Sequence, residues 1–140
     1  MIAVDTNVLL RYLLHDDKAQ APRADAVFDA GETVLITDVV LVETVWTLAG
    51  RKYRLVKAEL VAVLERLFSE PNVRFEDDRV VWRALQAYRN AASAKGAGFA
   101  EALIVFKAQR TATDSGEALT GVYTFDEAMR RFPRTLPPPF

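Results

Sequence analysis

Met1-Ile2-Ala3-Val4-Asp5-Thr6-Asn7-Val8-Leu9-Leu10 opens the chain. Ile2 to Val4 is a short apolar run that reads as a strand. From Val8 to Leu14 apolar residues recur at helical spacing, with Leu9, Leu10, Leu13 and Leu14 supplying a buried side. A strand therefore runs almost directly into a helix, and Asp5 falls at the strand's carboxyl end.

The same alternation continues downstream. A helix is expected over Lys18 to Ala30, with Ala24, Val27 and Phe28 inward and Gly31 closing it, followed by the strand Val34-Leu35-Ile36. Thr37 or Asp38 offers an N-cap for a helix from about Val39 to Leu48, apolar nearly all round and so expected to be buried on most sides. Val56, Leu60, Val63, Leu64, Leu67 and Phe68 form a further helical stripe, ended by Pro71 before the strand Val73-Arg74-Phe75. Asp77 and Asp78 suit the positive end of a helix whose Val80, Val81, Ala84, Leu85 and Tyr88 share a face. Ser93 to Gly98 reads as a turn, Phe99 to Gln109 as an apolar helix and Thr111 to Gly116 as a polar loop. Ala118 to Thr124 contains a strand, Asp126 to Arg131 a short helix, and Arg134-Thr135-Leu136 an edge strand. Strands alternating with helices predict an α/β fold with parallel strands, in which ligands gather beyond the strands' carboxyl ends.

With 140 residues, 51% of them hydrophobic, the expectation is one domain over 1–140 with a single core. No apolar segment approaches the roughly 20 residues that span a bilayer, and Asp5 interrupts the place where a signal peptide would need its hydrophobic region. A soluble, cytoplasmic protein with no membrane partner is expected. The chain has no cysteine, which excludes disulfides, thiolate metal sites and cysteine nucleophiles. A formal charge of −1 does not mark a strongly basic nucleic-acid binder, so phosphate binding falls to local patches or a metal.

Four acids carry the chemistry: Asp5, Glu43, Glu101 and Asp126, each set within or directly after an apolar stretch. Glu43 has Val39, Val40 and Trp46 on its side of a helix, which predicts an apolar environment. A carboxylate kept there needs a basic partner, a proton or a metal; an ion pair with Arg11 is the structural alternative. Glu101 is the only polar residue from Phe99 through Phe106. Asp126 also suits a helix N-terminus, where Thr124 and Glu127 have capping-box spacing, and Asp5 suits an N-cap. An all-oxygen cluster fits Mg²⁺ or Mn²⁺ and metal-assisted phosphodiester hydrolysis. His15 is the sole histidine and reads as a solvated residue beside Asp16 and Asp17. Ser69, Ser93 and Ser115 lack a nucleophile-elbow context, and Gly96-Ala97-Gly98 lacks the lysine of a P-loop.

Val4-Asp5-Thr6-Asn7-Val8-Leu9-Leu10, Val42-Glu43-Thr44-Val45-Trp46, Gly98-Phe99-Ala100-Glu101-Ala102-Leu103-Ile104 and Thr124-Phe125-Asp126, in that order, resemble the motifs of the PIN-domain ribonucleases. Within that family the chain is similar to the VapC toxins of type II toxin–antitoxin pairs. The resemblance covers essentially the whole chain. It implies a PIN-like three-layer α/β/α sandwich around a central, mainly parallel sheet. It implies that Asp5, Glu43, Glu101 and Asp126 are catalytic acids and metal ligands, with Thr6, Asn7 and Thr124 as polar supports. It further implies cleavage of RNA to 5'-phosphate and 3'-hydroxyl ends, with Mg²⁺ or Mn²⁺ as cofactor, a homodimer, and a VapB-type antitoxin that covers the acids. Glu101 departs from the aspartate usual at its position. A catalytically weakened homologue acting mainly as a binding partner is therefore a second reading, and action on DNA or phosphomonoesters a third. The basic run Arg51-Lys52-Tyr53-Arg54-Leu55-Val56-Lys57 suits either an RNA-backbone contact or a solvated turn.

Overall fold

The structure, a computed structural model, describes residues 1–91 and 98–139. The turn expected over Ser93 to Gly98 lies, except for Gly98, outside the described residues. Two compact units divide the chain, Met1–Glu76 and Asp77–Phe140.

The first unit is built on three parallel strands, β1 (Ile2–Ala3), β2 (Val34–Ile36) and β3 (Val73–Phe75), in that spatial order. Ile2 stands opposite Val34, and Val34 in turn opposite Val73. Parallel neighbours require long crossovers. Here α1 (Thr6–Leu14) and α2 (Ala21–Asp29) join β1 to β2, while α3 (Asp38–Ala49) and α4 (Lys57–Ser69) join β2 to β3. Val34 and Ile36 are fully buried together with Leu9, Leu41, Leu48, Leu64 and Leu67. Each such aliphatic side chain contributes about 1.5–3 kcal/mol by leaving water. Tyr12 stacks on Phe28 at 3.8 Å between ring centres and donates its hydroxyl to Glu70 Oε1 at 2.7 Å. Burial first, and the bond to Glu70 second, raise the Tyr12 pKa above the ordinary phenol value.

Local chemistry sets the helix limits. Asp17 Oδ1 accepts from the backbone N–H groups of both Ala19 and Gln20, so residues from Lys18 form a turn and α2 begins only at Ala21, with proline in its first turn. Thr37 is the N-cap of α3, its hydroxyl accepting from Val40 N–H. Leu13 and Leu14 are half-buried, and only Leu9 and Leu10 of that stripe reach the core.

In the second unit, α5 (Asp78–Asn90) is capped by Asp77, which accepts from Arg79 N–H and Val80 N–H at 3.1 Å each. The predicted face Val80, Val81, Ala84, Leu85 and Tyr88 is buried throughout. α6 runs Phe99–Asp114, so Thr111 to Asp114 is helix rather than loop. No residue in that stretch breaks a helix, Arg110 pairs with Asp114 one turn on at 3.3 Å, and termination waits for Gly116 at φ +71°. A short parallel pair, β4 (Val122–Tyr123) and β5 (Thr135–Leu136), completes the unit. The helix expected over Asp126 to Arg131 is reduced to a 3₁₀ turn at Met129–Arg131.

Candidate functional site

β1 ends two residues before Asp5, and the abrupt start of α1 makes that carboxylate its N-cap: Asp5 Oδ1 accepts from Val8 N–H at 2.9 Å. The next residue, Thr6, donates its hydroxyl to Glu43 Oε2 at 2.8 Å. The residue after Asp5 thus ties Glu43 to the start of α1, although Asp5 and Glu43 are 38 positions apart in the sequence. Among the described residues neither has an ion pair. Arg11, the basic partner considered for Glu43, instead binds Asp16 Oδ1 at 3.0 Å and Gln20 Oε1 at 2.9 Å.

Glu43 does not lie in an apolar interior. It is exposed, and the Val39 and Trp46 that flank it are themselves 65% and 63% exposed. The core side of α3 is Val40, Leu41, Thr44, Val45 and Leu48. With apolar residues all round the helix, sequence spacing could not say which side faces inward. Asp5 is exposed as well, so both acids have water at hand.

Beside Asp5 a cavity of about 310 Å³ is lined by Asn7, Arg11, Gln20 and Arg23. Among the described residues the Arg23 side chain has no hydrogen-bond or ion-pair partner. Tyr53, the aromatic of the basic run, donates its hydroxyl to Asp16 Oδ2 at 2.8 Å. That bond first, and Arg11 after it, hold the Asp16 carboxyl below the usual carboxylate range. The tyrosine of the Arg51–Lys57 run is thereby tied to Asp16, and the run leads into α4 at Lys57.

In the second unit, Glu101 is half-buried in the first turn of α6, whose N-cap is Gly98. Its carboxylate folds back over that glycine: a Cβ at position 98 would stand 2.7 Å from Glu101 Oε2. Ala97, four positions before Glu101 in the sequence, lies outside the described residues. Asp126 is exposed, with its N–H donating to Thr124 Oγ1 at 3.0 Å and its Oδ1 accepting from Ala128 N–H at 2.9 Å. Thr124 thus serves Asp126 rather than a capping box with Glu127.

The chain matches the PIN domain family over residues 2–134, across both units. It belongs to the PIN-domain family. The three parallel strands and their helices are accordingly those of an α/β PIN-like sandwich. PIN domains are generally nucleases and typically use divalent metals. No curated protein is significantly similar to the chain.

Of the expected residues, Thr6 and Glu43 are joined by a hydrogen bond and Asp5 is the residue before Thr6 in the chain, whereas Glu101 and Asp126 belong to the second unit. Among the described residues no group of three or more His, Asp or Glu side chains is gathered to hold a metal ion. The donor set at Asp5, Thr6 and Glu43 nonetheless fits a hard cation, because it offers only oxygen. Mg²⁺ is usually held by one or two carboxylates, with water and substrate phosphate filling its other positions. Val8 N–H and Thr6 Oγ1 fix one oxygen of each acid, and among the described residues Asp5 Oδ2 and Glu43 Oε1 have no partner. Sequence spacing did not single out Arg23 of the cavity beside Asp5, since an isolated arginine on a mixed helix carries no pattern.

Proposed function

We propose that this PIN domain is a divalent-metal-dependent endoribonuclease, the toxic component of a VapBC-type toxin–antitoxin pair. The observation that carries the reading is the bond from Thr6, the residue after Asp5, to Glu43, with no ion pair to either acid among the described residues. Asp5 and Glu43 would hold Mg²⁺ or Mn²⁺, with Glu101 and Asp126 as the further acids and Asn7 and Thr124 as polar supports. A cation so held polarises a phosphoryl oxygen and lowers the pKa of water. The cap bond from Val8 keeps the Asp5 carboxylate in one plane, and the Thr6 hydroxyl does the same for Glu43. Arg11 and Arg23, lining the cavity beside Asp5, suit a phosphate of the substrate. No described helix is long and apolar enough to cross a membrane, and we assign the protein to the cytoplasm. Exposed Val39 and Trp46 on either side of Glu43 give a VapB-type antitoxin or a second copy of the chain an apolar footing.

Purified protein, free of any antitoxin, is expected to cut RNA when Mg²⁺ or Mn²⁺ is added and to stop when EDTA removes it. Gel analysis of a radiolabelled RNA reads the result, and undiminished cleavage in EDTA sinks the mechanism. Single-stranded DNA and a phosphomonoester, run alongside, are expected to survive.

A second reading, a weakened nuclease acting mainly as a binding partner, is favoured by one observation: the Glu101 carboxylate lies back over Gly98. Glu101→Asp separates the two. A rise in cleavage of about tenfold or more supports an attenuated natural site, while unchanged turnover makes glutamate an adequate acid.

A further inference from the structure

Far along α6 from Glu101, the second unit holds a cavity of about 480 Å³ that the proposed chemistry does not use. It lies where the first turns of α5 meet the second half of α6, and its lining includes Arg79, Arg83, Gln109, Arg110 and Arg134. Glu117 is its acidic lining residue. Four guanidinium groups against one carboxylate make this a cationic hollow in a chain whose formal charge is −1.

The four arginines differ in what already satisfies them. Arg110 is bracketed by Asp77 at 3.4 Å and Asp114 at 3.3 Å, so its charge is compensated. Arg134 donates to the carbonyl of Leu119 at 3.2 Å, which steadies the side chain without neutralising it. Among the described residues the side chains of Arg79 and Arg83 have no hydrogen-bond or ion-pair partner. They stand four positions apart on α5, adjacent on one helix face, where like charges repel. An anion between them would turn that repulsion into attraction. The planar guanidinium fork matches phosphate oxygens in pairs.

We propose that this hollow is a phosphate-binding site that grips the backbone of an RNA chain away from the acids. Gln109 stands eight residues after Glu101, which at 1.5 Å per residue places the hollow roughly 12 Å along the helix from that acid. A strand a few nucleotides long covers such a distance, and its successive phosphates would meet Arg79, Arg83 and Arg134 in turn. The choice of RNA over other phosphate carriers rests on the ribonuclease reading, whereas the arginine arrangement does not.

The test uses the full chain with Asp5→Asn, so that RNA survives the measurement, and follows a fluorescein-labelled single-stranded RNA by anisotropy. Adding Arg79→Gln with Arg83→Gln is expected to weaken binding about tenfold and to reduce the slope of log K against log salt by roughly 1.4, or 0.7 for each lost phosphate contact. Both side chains lack partners, so thermal unfolding is expected to stay where it was. Arg79→Lys with Arg83→Lys is expected to restore the salt slope, which a purely structural effect of the glutamines would not. Unchanged affinity and slope in the glutamine variant overturn the proposal. So does a mononucleotide or an acidic peptide that binds as tightly as the RNA with the same arginine dependence. Failure of the ribonuclease reading is seen separately, as absence of cleavage by the chain with Asp5 intact while RNA binding still depends on Arg79 and Arg83.

Discussion

Asp5→Asn is expected to lower RNA cleavage by about a hundredfold or more while leaving the fold as stable as before. The two effects are expected to separate because the cap uses one Asp5 oxygen and the proposed cation the charge and the other oxygen. Its Oδ1 caps α1 by accepting from Val8 N–H, and asparagine caps a helix as well as aspartate does. The amide keeps that bond and loses only the negative charge and the anionic second oxygen. If the charge holds a cation whose stabilisation of the transition state is worth several kcal/mol, the rate falls by at least two powers of ten. Asp5→Ala removes the cap too and is expected to cost about 1 kcal/mol of stability on top of activity. Urea unfolding and initial cleavage rates, measured on both variants, check the pair. An asparagine variant that cuts RNA normally would falsify the ligand role of Asp5, and one that unfolds as readily as the alanine variant would contradict the cap argument.

Phe99→Ala is expected to give a very large loss of stability, about 3–5 kcal/mol. Phe99 is the first residue of α6 and only 1% exposed. Its ring meets that of Tyr88 edge-on, 6.3 Å between centres with planes at 70°, where α6 packs on α5. Alanine removes the ring and leaves a cavity that α6 cannot close without shifting its first turn. Glu101 sits in that same turn. Phe99→Leu, which keeps most of the volume, is expected to cost under about 1.5 kcal/mol. Chemical denaturation of the two variants checks the difference, and an alanine variant as stable as the leucine one would show that the aromatic contact carries little.

Where one face of an element is buried and the other wet, the sequence was easy to read. β2 and β3 fall at Val34–Ile36 and Val73–Phe75 as expected, and all five inward residues of α5 are buried. α3 defeated the same reasoning because apolar side chains surround it, so periodicity carried no direction, and Glu43 came out exposed. The end of α6 was missed for a different reason. Threonine and aspartate are weak helix formers, but the Arg110–Asp114 pair and a terminating glycine override them. A hydrogen bond joins Thr6, next to Asp5, to Glu43, a link between distant residues that no local pattern encodes. The arginine hollow escaped for the same reason, since it draws on α5, α6 and the segment before β5.

Gly98 gives the PIN domain an adjustable part outside the acids themselves. The Glu101 carboxylate rests where a side chain at position 98 would begin, and an added methyl would stand 2.7 Å from Oε2, closer than real contacts allow. Because the displaced group is the tip of a flexible side chain, helix α6 need not move to make room. A lineage carrying glutamate here can thus alter the carboxylate's resting position by a single change at its neighbour, keeping the charge, the helix and the core. Natural variation in potency would then be sought at the residue that leaves space for the acid, as much as at the acid.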